Sequence, residues 1–132
     1  MLLRRIFHAV SAVAGVCLAD FVSDDRSAAY AMINQARANH GVQPLAWDAN
    51  LATYAQYWAD EMAGGRQPFT HAQGQYRPSQ GENLYEQQAG QCDASYMTPY
   101  QSGVHTWLIQ EQLFDGQPIT SGHEPWLHWC TR

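Results

Sequence analysis

Almost no run in this chain is suited to a β-strand, and that scarcity limits its fold more than any other feature. A strand needs alternating apolar positions or a β-branched cluster, whereas the apolar residues here recur at helical spacing. Ser23, Asp24 and Asp25 make an acidic start and Gly41 a stop. Between them Ala29, Met32, Ile33 and Ala36 repeat, so a helix is predicted over 25–39. Asp48 is placed to cap a second helix, whose Leu51, Tyr54, Ala55, Trp58 and Met62 form one apolar stripe read as core. Gly64 and Gly65 close it. Thr98 and Pro99 suit the N-cap and first-turn positions of a third helix, with Val104, Trp107 and Leu108 facing inward and an end near Phe114. Residues 42–45 read as an extended turn into Trp47. A polar loop carrying His71 follows over 66–80, then a short helical turn over 84–88 and more loop to 96. Residues 117–132 show neither a helical nor a strand period, and no internal repeat is visible.

A length of 132 residues suits one domain. Arg4 and Arg5 precede an apolar stretch from Ile6 to Leu18 that ends in small residues, the order of a secretory signal cleaved after Ala19. The competing reading is a buried or interfacial N-terminal helix, since roughly 14 apolar residues are too few to span a bilayer. The expected organisation is a signal peptide over 1–19, a short segment over 20–26 and a domain over 27–132. Without the leader, five arginines face twelve acids, and there is no lysine. Such a surface repels phosphate backbones and anionic membranes, which excludes nucleic acid as a partner. No other stretch approaches transmembrane length, and no Asn-x-Ser/Thr acceptor occurs. Cys17 leaves with the signal. Cys92 and Cys130 then either pair in an oxidising compartment or remain two thiols.

The chemistry concentrates in Gly81-Glu82-Asn83-Leu84-Tyr85, with His71 upstream and His128 far downstream. An acid beside a small turn residue, with two distant imidazoles, is an economical divalent-metal or acid/base pocket. Taken singly, His71 is a solvated loop histidine and Glu82 a cap for the turn that follows. His40 suits a helix C-terminus, where positive charge is favourable, and His105 lies off the apolar face. His123-Glu124 before His128 has the wrong spacing for a zincin motif, and Pro125 breaks any helix there. No Gly-x-Ser-x-Gly elbow is present and neither cysteine sits in a catalytic context, so nucleophilic catalysis has no candidate.

Several of these pieces follow one order: Asn34-x-x-Arg37, Gly41, Pro44-Leu45, Trp47-Asp48, His71, the Glu82 block, Trp107 with nearby acid, and Pro125-Trp126-Leu127-His128-Trp129. That order resembles the CAP superfamily of cysteine-rich secretory proteins, venom antigen 5 and plant pathogenesis-related proteins, most closely its secreted fungal members. The resemblance implies an α+β fold, a three-layer α-β-α sandwich with a cleft of two histidines and two glutamates that binds a divalent metal in several members. It makes His71 the first histidine, Glu82 the first glutamate and His128 the second histidine, giving His71, Glu82 and His128 as the metal set, with zinc the candidate ion. The second glutamate position is Gln110, whose amide lacks the charge that helps hold a 2+ ion. Glu111 beside it either substitutes or is an ordinary solvated helix residue.

After His128 the family continues into strands of the central sheet, which this chain does not have. The expectation is therefore a helix-dominated, incomplete sandwich, truncated after the second-histidine motif. The implied function is a secreted, non-enzymatic binding module for sterols, fatty acids or a cell-wall or host-surface component. The alternatives are a metal-dependent hydrolase or peptidase using the same cleft, and a truncated product without function.

Overall fold

A computed structural model of the chain describes residues 3–87 and 97–130, and of residues 3–20 the backbone. Its helices are α1 (Leu3–Asn39), α2 (Ala49–Ala63), α3 (Pro99–Leu108) and the short α4 (Leu127–Cys130), with 3₁₀ turns at Gly74–Tyr76 and Ile109–Leu113. Among the described residues there is no β-strand, as the lack of alternating runs predicts.

Helix α1 starts far earlier than the predicted Asp25. No proline precedes Pro44, so nothing interrupts the helical period of the N-terminal stretch. Its end agrees with the prediction. Gly41 adopts φ 67°, and the amides of Gly41 and Val42 return to the carbonyls of Ala38 and Arg37 at 3.0 Å each. Helix α2 is capped as expected, the Asp48 carboxylate accepting from the amides of Asn50 at 2.7 Å and Leu51 at 3.0 Å.

Helix α3 is capped differently. The Thr98 side chain makes no cap bond. Asp25, buried inside α1, accepts instead from the amides of Tyr100 at 2.8 Å and Gln101 at 3.1 Å, and from the Gln101 side chain at 3.0 Å. The residue read as the start of the first helix therefore docks the third helix onto it. Ala29, Gly103 and Val104 are buried, and α1 and α3 form the main packed pair.

The stretch 42–47 lies along α1, held by side chains. Asn34 accepts from the Leu45 amide at 2.8 Å, Arg37 donates to the Gln43 carbonyl at 2.7 Å, and the Tyr30 hydroxyl donates to the Leu45 carbonyl. Near Pro125 the chain turns inward. Trp126 is buried, with Phe114 edge-on at 5.0 Å, and α4 packs on α3 and the 3₁₀ turn before Phe114.

The α2 stripe is not core. Leu51 and Tyr54 are exposed and only Trp58 is buried, its indole donating to the Thr70 carbonyl at 2.8 Å. The stripe has the right period, but no layer among the described residues covers it.

Candidate functional site

Two hydrogen-bonded clusters hold the residues singled out in the sequence. In the first, Glu82 meets His71 Nδ1 at 2.6 Å and accepts from the Ala72 amide at 3.1 Å with the same oxygen. Ala72 is fully buried and its carbonyl accepts from Arg77 Nε at 2.9 Å, so the turn is pinned from both sides. The stretch after Glu82 is irregular rather than helical. Glu82 therefore anchors the preceding loop instead of capping a following turn.

In the second cluster Gln110 grips His128. Its side-chain oxygen accepts from the His128 backbone amide at 3.1 Å, and the amide lies 3.0–3.1 Å from His128 Nδ1. A carboxamide can donate to a bare ring nitrogen or accept from a protonated one, so Gln110 serves either tautomer and adds no charge. Asn83 Nδ2 donates to the His128 carbonyl at 3.0 Å, tying the Glu82 block to the helix that carries the second histidine. Glu111 turns elsewhere, pairing with His40 Nε2 at 2.8 Å, and the His40 ring meets Trp129 edge-on at 5.4 Å.

Between α1, α3, α4 and the Gly81–Asn83 stretch lies a cavity of about 430 Å³. Its wall is apolar along Ile33, Ala36, Val104 and Leu108 and aromatic at Trp107 and Trp129, and Glu82, Asn83 and His128 supply polar groups. Trp107 is fixed by its indole, which donates to the Leu84 carbonyl at 3.2 Å. His71, Gln110 and Glu111 are not among the lining residues, whereas Arg37 and His40 are. Neither was singled out as a cleft residue. The signal in reach was helical spacing, since 33, 36, 37 and 40 share one face of α1.

The chain matches the CAP: Cysteine-rich secretory protein family over residues 30–130. It belongs to the CAP family. Among curated CAP relatives, it is 40% identical over 102 residues to Pathogenesis-related protein 1A of Nicotiana tabacum, covering 73% of this chain and 54% of that protein. It is 47% identical over 81 residues to Pathogenesis-related protein 1C of the same plant, covering 61% and 42%. To Pathogenesis-related protein 1 of Arabidopsis thaliana it is 35% identical over 81 residues, covering 61% and 47%. The chain thus spans about half the length of the curated relatives it matches. No solved structure matches it.

The family implies a metal-capable cleft, and the donor set can be tested against it. Among the described residues no three His, Cys, Asp or Glu side chains are placed to hold one ion. His71 and Glu82 satisfy each other, and the acid position beside His128 is an amide. A zinc site of three or four protein ligands does not fit this arrangement. Cys92 lies outside the described residues, so the expected pairing with Cys130 does too. Among the described residues Cys130 has no disulfide partner, and burial pushes its thiol above its ordinary pKa.

Proposed function

We propose that this CAP domain is a secreted, non-enzymatic protein that binds amphipathic small molecules, sterols or fatty acids, in the cleft between α1, α3 and α4. The observation that carries the reading is the cavity, with an apolar wall on one side and hydrogen-bonding groups on the other. Its size falls within the range of about 300–1,000 Å³ usual for small-molecule sites. Its Glu82 is held by His71 and its His128 by Gln110, and among the described residues no hydroxyl or thiol nucleophile lines it. That arrangement suits retention of a ligand better than attack on one. Secretion is supported by the leader-like order of residues 1–19 and by the secretory character of the family. No helix among the described residues is long and apolar enough to cross a membrane. Under this reading the CAP sandwich is represented by its helical layers, and a cell-wall or host-surface component is the macromolecular partner.

Titration of the purified protein with radiolabelled sterol and palmitate tests the ligand. Saturable binding of either supports the reading, and binding of neither removes it. N-terminal sequencing of secreted material tests the leader, with Asp20 expected as the first residue.

A further inference from the structure

Away from the cleft, two phenols lie ring against ring on the surface. Tyr57 of α2 and Tyr76 at the end of the 3₁₀ turn Gly74–Tyr76 have centroids 5.4 Å apart and planes 6° from parallel. Both rings remain open to solvent, Tyr57 46% and Tyr76 37% exposed, and neither lines the cleft. Tyr76 also stacks on Trp58 at 5.7 Å, a buried ring whose indole is tied to the Thr70 carbonyl, so the pair rests on a fixed base. By contrast Tyr30 packs edge-on against the indole of Trp47.

Parallel phenols in contact, reachable from solvent, are arranged for oxidative coupling. Partial burial, and next the Glu61 carboxylate, hold the Tyr57 phenol above its ordinary pKa. At neutral pH it is therefore an O–H group that gives up its proton and electron together. A phenoxyl radical carries part of its spin on the carbons ortho to oxygen. Two such radicals held side by side join there before either meets a radical on another copy, because contact within one chain acts as a very high local concentration.

We propose that Tyr57 and Tyr76 form an intramolecular dityrosine when the protein meets hydrogen peroxide and a haem peroxidase. Each phenol loses one hydrogen atom to the oxidised haem, and a carbon–carbon bond forms between the two ortho positions. The hydrogens on those carbons then pass through solvent to the phenoxyl oxygens, which restores both rings. In all, the pair loses two electrons and two protons, and one hydrogen peroxide becomes two waters. The bond would fasten α2 to the loop over 66–76, which carries His71 and the buried Ala72. Secretion, as proposed above, places the pair in an oxidising compartment; the coupling itself does not depend on that location.

The test treats the full chain at low concentration with equimolar hydrogen peroxide and catalytic peroxidase. Cleavage after Arg and Glu leaves Tyr57 in segment 38–61 and Tyr76 in segment 67–82, where Tyr76 is the only tyrosine. These segments should appear joined, lighter by two hydrogens than their sum, with dityrosine fluorescence and a yield unchanged on dilution of the protein. Tyr57→Phe and Tyr76→Phe keep the stacked rings but lack one phenol, and each should abolish the link. Tyr54→Phe, which alters the other tyrosine of segment 38–61, should leave it intact. The coupled protein should show a higher urea midpoint and slower exchange of α2 amides, since a short loop has been closed covalently. Absence of the joined segments in wild type, their persistence in Tyr57→Phe, or a yield that falls on dilution overturns the proposal. Unchanged α2 exchange in the coupled protein overturns the fastening of α2.

Discussion

Asp25 carries more of the tertiary structure than its place in an acidic run suggests. Its carboxylate, 3% exposed, satisfies two amides at the N-terminus of α3, where the helix dipole also favours negative charge. Asp25→Ala would leave those amides without their acceptor and should cost about 1–3 kcal/mol, measured as a lower urea midpoint at unchanged slope. Asp25→Asn keeps one acceptor oxygen and should lose less; an equal loss in both variants would mean that the charge is what matters. Glu124 offers a pH-dependent counterpart. The Ser121 amide at 2.6 Å and the Thr120 amide at 2.7 Å hold its carboxyl at about 2 against an ordinary 4.5, with burial pushing the other way. The folded pKa lies below the unfolded one, so the stabilisation is complete above 4.5 and is lost as pH falls from there through about 2. Glu124→Gln should therefore lower the urea midpoint near pH 6, and the gap to wild type should close near pH 2. A gap that does not change with pH would assign the effect to packing.

At the level of elements, α1 and α3 share a buried seam while α2 is attached mainly through its Trp58 indole and aromatic stacking. Tyr76 lies parallel to Tyr57 at 5.4 Å and near Trp58 at 5.7 Å. Elements with few buried contacts open at low free energy. Amides of α2 should accordingly exchange with solvent well before those of α1 and α3, and equal protection would refute this ordering. The same contrast explains which elements could be read from sequence. Asp48, Gly41 and Pro99 act locally, so the α2 cap, the α1 end and the α3 start follow from neighbours in the chain. The cap on α3 comes from 75 residues away, and α4 is a four-residue turn fixed by Trp126 and Phe114 packing, so neither leaves a periodic trace. At the site, the His71–Glu82 contact joins residues 11 apart across one loop, whereas the engagement of Glu111 by His40 depends on where α1 ends relative to the turn after α3.

For the molecule as a whole, the apolar residues that stay outside matter more than those inside. The buried hydrophobics among the described residues are Ala29, Trp58, Ala72, Val104 and Trp126, and no large side chain is completely enclosed. Val42, Leu45, Trp47, Leu51 and Tyr54 are exposed along the stretch that leads from α1 into α2. Exposed apolar side chains that gather into a patch mark surface that a partner usually covers. Among the described residues no layer covers that stretch. The purified chain should therefore show strong helical far-UV dichroism, and it should bind anilinonaphthalene sulfonate without denaturant. No dye binding would mean that the apolar surface is covered in solution. Sedimentation would then show whether a second copy provides the cover.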